Sequence, residues 1–305
     1  MSTATSVPTT AGLEGDDALA TLRGVGRRRL ALDAFDRFRA ADGFSHSRAL
    51  AFQFALTLVP ALITVIGLAT ALDQDTFSRV VRDVIGDIAP GAAGDLVTAA
   101  LHQGSEGARQ ENGEVALAFG GVATMLAGTT AFGQIERGAN RIYGIERDRP
   151  PLRKYGVAAV LMLTAGVATL LAAILLVAGE ALAGAAGWGS AFGVLRWPVA
   201  LTLVVIALAL LFEVAPRRRQ PEASWLAIGS GLSALLWLAF TGILALLVGA
   251  SANFGVTYGP LAGMIAMLLW TLLSALALLL GLAFAAQLEA ARAGISETRV
   301  TREEN

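Results

Sequence analysis

Four neighbouring polar residues, Gln134, Arg137, Asn140 and Arg141, have types and spacing that could bind an anionic group. The spacing i, i+3, i+7 puts Gln134, Arg137 and Arg141 on one face of a helix. Guanidinium groups bind phosphate and carboxylate oxygens through charged hydrogen bonds, and an amide adds a neutral donor and acceptor. This row predicts contacts with the headgroup of a passing amphiphile. The alternative is that it only anchors a helix end at a membrane interface.

Uncharged polar residues within apolar stretches form a second candidate group, because an unpaired polar group in hydrocarbon is costly. Gln53 lies one turn before Thr57, and Pro60 follows. A proline inside a helix removes one backbone hydrogen bond. This point is therefore either flexible and lined by water, or a static kink that neighbouring groups satisfy.

A third group is predicted on the opposite side of the membrane. Arg196 lies at the start of an apolar segment, and "SANFGVTYGPLAG" (251–263) contains the hydrogen-bonding residues Asn253 and Tyr258. Gly259 precedes a proline and permits a tight backbone reversal. We expect Arg196 to meet a headgroup on the outer side, and Asn253, Tyr258 and Gly259 to contact either the substrate path or the headgroup.

Motifs of hydrolases and nucleotide-binding enzymes are missing from the sequence. There is no GxSxG, no HExxH and no Walker loop, and the chain has no cysteine and only two histidines. Of the two, His46 lies just ahead of an apolar run and is interpreted as a solvated loop histidine, with an interfacial titratable group as the alternative. We therefore expect no catalytic residues, no cofactor, no metal site and no nucleic-acid partner.

The distribution of charge indicates the elements that position these residues. The chain has 305 residues, of which 55% are hydrophobic and 15% charged, whereas about 25% is usual for charged residues in soluble proteins. Four long stretches carry no charge, and each exceeds the roughly 20 residues that cross a hydrocarbon core, whereas the fourth predicted crossing has only 16 uncharged residues, between Arg196 and Glu213. The sequence predicts an all-α fold with six membrane-spanning helices at 49–71, 115–135, 156–179, 197–215, 223–248 and 260–285.

Arginine and lysine are concentrated on one side of this predicted arrangement, which orients both termini toward the cytoplasm. Residues 1–45 are predicted to be a disordered or interfacial tail, 46–290 the membrane domain and 291–305 a second tail. The segment 72–114 has helical apolar spacing and is predicted to form an amphipathic hairpin. It could lie on the outer surface or pack over the mouth of the bundle.

Four blocks resemble the YihY/BrkB family of bacterial inner-membrane proteins. They are "ALAFQFALTLVPALITVIGL" (49–68), "FGQIERGANRIYGIERDRPPLRKY" (132–155), "LRWPV" (195–199) with "LFEVAP" (211–216), and "NFGVTYGPLAGMIAMLLWTLLSALALLLG" (253–281). The resemblance implies six helices in the bacterial cytoplasmic membrane. It also implies a link to moving lipids, including lipid A precursors, or to virulence. An older label of this family is ribonuclease, which the residues here do not support.

This chain departs from the pattern of that family at two places. The family commonly has an aromatic residue where Gln53 stands, and acidic or amide groups where Ala283, Ala285 and Gln287 stand. We expect a transporter or flippase for a lipid or amphiphilic envelope precursor, or alternatively a non-catalytic scaffold for envelope assembly. The expected partners are the lipid bilayer and a lipid substrate, and the sequence leaves homo-oligomerisation open.

Overall fold

The computed structural model describes residues 4–9, 15–71, 113–172, 175–176, 191–250, 261–295 and 297–298. Within those ranges the fold is all-α and contains no strand. The helices are α1 Gly15–Val25, α2 Arg27–Ala40, α3 Gly43–Ala71, α4 Gly113–Ile142, α5 Pro151–Leu161, α6 Ala191–Val214, α7 Ala223–Ala250 and α8 Leu261–Arg292. A π-helical turn, Met162–Gly166, extends α5, and the helix then continues to residue 172.

Four segments of the described chain are long and apolar enough to cross a membrane, namely Pro151–Ala172, Phe192–Val214, Trp225–Val248 and Leu261–Arg292. At a rise of about 1.5 Å per residue, even the shortest exceeds a hydrocarbon core of about 30 Å. The first two predicted crossings fall in α3 and α4, which are helical over 29 and 30 residues. Their passage through the membrane stays a prediction.

α8 is the central helix of the bundle. In its most apolar 18-residue stretch, 44% of the residues are buried inside the protein, whereas the corresponding share is 17–22% in the other three candidate spans. Small residues permit its close contact with α7: a Cβ added to Gly229 would lie 2.7 Å from the Cβ of Ala285 and 2.8 Å from the carbonyl oxygen of Gly281. Close approach of this kind favours helix association in lipid. α8 also packs against α2, α3 and α4.

α4 extends beyond the predicted crossing 115–135, and it carries the polar row at its C-terminal end. It ends where Gly144 adopts a φ of 72° and the amide of Ile145 donates to the carbonyl of Asn140 at 2.7 Å. This left-handed cap is one that glycine adopts without steric cost. Gln134, Arg137, Asn140 and Arg141 therefore lie on regular helix and are not in a loop.

Residues 1–45 were predicted to be either disordered or interfacial, and the described part of this segment is ordered. Residues 15–40 form α1 and α2, and residues 4–9 pack onto the bundle with Val7 only 6% exposed, so these parts of the tail are not disordered. The interfacial alternative stays a prediction. The first described segment, 4–9, contacts the last, 297–298: the amide of Thr5 donates to the carbonyl of Thr298 at 3.1 Å. The predicted hairpin at 72–114 falls almost wholly outside the described residues.

Candidate functional site

Polar side chains collect at the end of the bundle where α4, α6 and α8 finish and where α5 and α7 begin. Arg149, in the segment after α4, donates to the carbonyls of Val214, Ala215 and Pro216 at 3.0, 2.7 and 3.0 Å. It also forms an ion pair with the buried Glu136 at 3.1 Å. A cation at a helix C-terminus satisfies carbonyls that lack intrahelical partners and interacts favourably with the helix dipole. Arg149 thus ties the end of α4 to the end of α6.

Asp148 is the second centre of this group of side chains. We call the group the polar layer, and its residues are Glu136, Asn140, Asp148, Arg149, Lys154 and Arg217. It accepts hydrogen bonds from Asn140 at 2.9 Å and from Lys154 at 3.2 Å. Partial burial alone would raise the pKa of Asp148, but these hydrogen bonds and the positive charge of Lys154 outweigh it, and the pKa is lowered. Asn140 is fully buried, and its side-chain oxygen accepts from the amide of Arg217 at 2.8 Å. The predicted headgroup contact Asn140 is therefore occupied by contacts within the protein.

The two arginines of the predicted row differ in their surroundings. Arg141 donates to the carbonyls of Ile145 and Glu146 at 2.6 and 2.8 Å, and its side chain is 21% exposed. Arg137 has a side chain that is 52% exposed, and its contact with Asp148 is long, at 3.4 Å. Arg141 therefore closes the turn that follows α4, whereas Arg137 presents its guanidinium group at the surface.

Three polar pairs connect α3 to α4, and we call them the α3–α4 seam. His46 Nδ1 and Gln134 Nε2 are 3.4 Å apart, Thr130 donates to Gln53 Oε1 at 2.9 Å, and the hydroxyls of Thr64 and Thr124 are 3.0 Å apart. The residues of the seam are His46, Gln53, Thr64, Thr124, Thr130 and Gln134. The structure thus brings the candidates Gln53 and Gln134 into one row.

The seam lies at the edge of the α3–α4 contact and is not in its interior. Thr130 is exposed, and His46, Gln53 and Gln134 are partly exposed. Neighbouring positions present large apolar side chains to the surroundings, including Phe52 at 58% and Leu126 at 66%. Burial lowers the pKa of His46, which precedes the predicted crossing, and this favours its neutral form. The seam is therefore an uncharged polar row beside an apolar surface at neutral pH.

Of the remaining candidate residues, Pro60 and Arg196 lie in the part of the chain that the structure describes. Pro60 lies in α3, and its carbonyl accepts a hydrogen bond from Thr64 at 2.8 Å. Arg196 is on α6, 5.9 Å from the ring centroid of Trp197 and about 27 Å along the helix from the end that Arg149 caps. Asn253, Tyr258 and Gly259 lie outside the described residues.

A buried arginine that the sequence did not single out joins α2 to α8. Arg37 is 0% exposed, and its Nε donates to Gln287 Oε1 at 2.7 Å. Its Nη1 donates to the carbonyls of Thr5 and Ile142 at 2.8 and 3.2 Å. Burial lowers the pKa of Arg37 to about 10, against the opposing effect of Tyr143 and Glu289. The only signal in the sequence was its helical spacing with the buried Leu30 and Phe38.

Glu289, near the end of α8, is the centre of a second set of buried polar contacts, beside those of Arg37. Tyr143 donates its hydroxyl to Glu289 Oε1 at 2.9 Å, and Arg218 donates to Glu289 Oε2 at 2.8 Å. The guanidinium group of Arg218 also lies 4.6 Å from the centroid of the Tyr143 ring. Burial, followed by the charge of Glu289, raises the pKa of Tyr143 well above its usual value. Glu289, Tyr143 and Arg218 therefore contact one another at this end of the bundle.

The departing positions on α8 are packed inside the protein, whereas Gln53, the other departure from the resembled family, is partly exposed in the seam. Ala283 and Ala285 are 0% and 2% exposed and belong to the apolar core, and Gln287 is 1% exposed and serves as an acceptor for Arg37. Among the residues that the structure describes, no group of three or more His, Asp or Glu could hold a metal ion.

Comparisons with known proteins give the family. The family described as virulence factor BrkB matches residues 34–304. The chain is similar to a protein of Bacillus subtilis (strain 168) named putative ribonuclease-like protein YfkH, with 27% identity over 258 residues, covering 82% of this chain and 91% of that protein. No solved structure matches the chain. The protein therefore belongs to the BrkB virulence factor family of membrane proteins.

Proposed function

We propose that this protein moves a lipid or another amphiphile across the bacterial cytoplasmic membrane, with the α3–α4 seam as the path of the headgroup. The observation that carries the proposal is the row of half-exposed polar side chains beside an apolar surface. A headgroup that enters hydrocarbon loses its hydrogen bonds to water, which costs several kilocalories per mole. Amide and hydroxyl groups at the edge of the helix pair replace some of these bonds while the acyl chains stay in lipid.

The dimensions of the seam fit this role. From Gln134 to Thr124, α4 rises about 15 Å, which is half of a hydrocarbon core of about 30 Å. Arg137 follows Gln134 by one turn and offers a half-exposed guanidinium group where a phosphate would enter the seam. We assign Arg137 to headgroup capture and Arg141 to the fold.

The proposed topology has six crossings, both termini in the cytoplasm and the 72–114 segment outside. The contact between Thr5 and Thr298 supports it, because described ends on one side require an even number of crossings. The arginine-rich polar layer is on that same side, as the distribution of positive charge in bacterial membrane proteins favours.

The test is flip-flop of fluorescent lipids in vesicles that contain the purified protein, followed by chemical quenching of the outer leaflet. Protein vesicles should lose signal beyond the outer-leaflet half much faster than empty vesicles, for at least one headgroup in a panel. Gln53→Leu combined with Thr130→Val should slow transfer about tenfold, which corresponds to about 1.4 kcal/mol in the barrier.

Thr202→Val is the matched control for the seam variants, because Thr202 is an exposed threonine on α6. Among the described residues it hydrogen-bonds only within its own helix, to the carbonyl of Pro198 at 2.7 Å. It should transfer lipid at the unmodified rate. Equal rates for the seam variant and the Thr202 variant would refute the path. No acceleration over empty vesicles for any headgroup would refute the function.

A second candidate function is a non-catalytic scaffold for envelope assembly. It is favoured by the exposed basic surface beside the polar layer, where Arg147 and Arg217 are exposed and the guanidinium group of Arg217 donates to the carbonyl of Asp148 at 3.0 Å. A scaffold predicts that Arg137→Ala with Arg147→Ala abolishes recovery of a cytoplasmic partner and leaves lipid flip-flop unchanged. A lipid carrier predicts the opposite pattern.

We further propose that the chain is not an enzyme, although its relative YfkH is named ribonuclease-like. The sequence contains none of the hydrolase motifs GxSxG, HExxH or a Walker loop, and it contains no cysteine that could act as a nucleophile. RNA incubated with the purified protein should stay intact. Cleavage that co-purifies with the protein and disappears with a point change would contradict this proposal.

A further inference from the structure

The outward face of α2 combines large apolar side chains with arginines. At about 100° per residue, Arg28, Leu32, Phe35 and Arg39 fall within an arc of about 60°. Leu32 is 57% exposed and Phe35 is 42% exposed. The acidic residues Asp33 and Asp36 are centred about 100° further round the helix. One side of α2 is therefore apolar and basic, and the adjacent side is acidic.

The opposite side of α2 is fixed against α8, so the apolar face cannot rotate inward. Leu30 and Phe38 are 0% exposed, and Leu30 packs with Leu288 of α8. The 2.7 Å hydrogen bond from Arg37 to Gln287 sets the rotation of the helix at the same contact. The exposure of Leu32 and Phe35 is thus a consequence of the packing of α2.

The apolar face continues onto α3 through an aromatic cluster. The ring centroid of Phe44 lies 6.3 Å from that of Phe35 and 5.0 Å from that of the buried Phe38. Phe44 is 47% exposed, and further along α3 Phe52 and Leu56 are 58% and 49% exposed. The patch on α2 therefore merges with the apolar surface that α3 presents along the predicted first crossing.

We infer that the α2–α3 corner, formed by Arg28, Leu32, Phe35, Arg39 and Phe44, inserts into the leaflet on the side of the chain ends and binds anionic lipid. An amphipathic helix with aromatic and leucine side chains on one face and arginines beside them binds the lipid interface in this manner. The arginines stand at both ends of the apolar pair, while both acids lie on the neighbouring arc.

Pairing within α2 leaves the cationic side chains available. Arg39 contacts Asp36 at 3.8 Å with both side chains more than half exposed. A pair of this kind is weak in water, so a lipid phosphate can replace the carboxylate. Charge complementarity thus favours an anionic membrane surface as the partner of this corner, whether or not the protein moves lipid.

The test uses the lack of cysteine in the chain, which permits a single label with no background. Phe35→Cys and Asp36→Cys are each labelled with a polarity-sensitive fluorophore in the full-length protein. The proteins are then placed in vesicles of phosphatidylcholine, with and without phosphatidylglycerol, that contain lipid brominated near the headgroup end of the acyl chain. Position 35 should be quenched by the brominated lipid, more so with phosphatidylglycerol, while position 36 should respond to an aqueous quencher.

Arginine variants test the preference for anionic lipid. Arg28→Gln with Arg39→Gln should raise the phosphatidylglycerol fraction that gives half of the fluorescence change, because each arginine near an anionic surface contributes about fivefold in affinity. Arg29→Gln is the control, since Arg29 lies on the acidic arc and contacts Asp33 at 3.9 Å.

Three results would overturn the inference. The first is equal accessibility of positions 35 and 36 to the aqueous quencher in vesicles. The second is a response at position 35 that ignores phosphatidylglycerol. The third is shielding of position 35 in detergent together with energy transfer between labelled copies, which would show that a second copy covers the corner.

Discussion

Replacing Arg149 by methionine should destabilise the fold strongly, because it removes four contacts and leaves a charge without its partner. Arg149 donates to three carbonyls at the end of α6 and pairs with Glu136 at 3.1 Å. The two side chains are 13% and 2% exposed, so water cannot replace the lost partner of Glu136. Breaking a buried ion pair from one side costs about 3–5 kcal/mol, and we expect a loss in this range.

Arg137→Met is the matched comparison, since it removes the same charge from the same part of the sequence. Its side chain is 52% exposed and has one long contact of 3.4 Å with Asp148. Exposed pairs contribute about 0–1 kcal/mol. We therefore expect Arg137→Met to change the free energy of unfolding by less than about 1 kcal/mol while slowing lipid transfer.

The assay is equilibrium unfolding in mixed micelles with increasing SDS, followed by tryptophan fluorescence and helical circular dichroism. A double-mutant cycle with Glu136→Gln isolates the ion pair, because the neutral amide should recover part of the stability that Arg149→Met removes. Equal losses for the Arg137 and Arg149 variants would refute the reasoning. So would a cycle in which Glu136→Gln and Arg149→Met are simply additive.

Three further predictions follow from other contacts. Gly229→Ala should lower the free energy of unfolding by about 1–3 kcal/mol, because the added methyl group would lie 2.7 Å from the Cβ of Ala285. Gly231→Ala is the control and should leave the stability unchanged, because an added Cβ there has nothing within 4 Å. SDS unfolding compares the two variants. Burial lowers the pKa of His46, so its protonation opposes folding, and stability should fall as the pH drops below about 6.5; His46→Asn should flatten that part of the stability profile. Deleting residues 1–9 removes carbonyls that two buried guanidinium groups bind and should speed hydrogen exchange in the polar layer, which mass spectrometry would detect.

The sequence predicted the crossings more readily than it predicted their ends. Uncharged runs of more than about 20 residues located three of the four candidate spans. The span Phe192–Val214 was less distinct, because only 16 uncharged residues separate Arg196 from Glu213. The predicted crossing ends at residue 135, because the charge at Glu136 marks the limit of the hydrocarbon, but this charge does not mark the end of the helix. The helix continues until Gly144 supplies the left-handed cap. The spacing of Gln134, Arg137 and Arg141 already indicated that the helix continued.

The cluster around Arg37 could not be predicted from one sequence. Arg37 and its partner Gln287 are 250 residues apart, and the contact exists only because α2 packs on the end of α8. Nothing local distinguishes Arg37 from the exposed Arg39 two positions later, apart from a helical spacing shared with Leu30 and Phe38. The acceptor role of Gln287 likewise depends on tertiary contacts, which periodicity does not reveal.

The structure changes how variants in the basic segment should be interpreted. Asn140 and Arg149 are bound to several groups within the polar layer, so loss of function on replacing either would report damage to the fold. Arg137 combines exposure with a position one turn from the seam, and Gln134 and Thr130 continue the same face into the apolar region. If a headgroup passes here, transfer rates must respond to these three residues in proportion to their depth while unfolding free energies stay nearly constant. A transfer defect that always accompanies a loss of stability would instead indicate that the segment only holds the helices together.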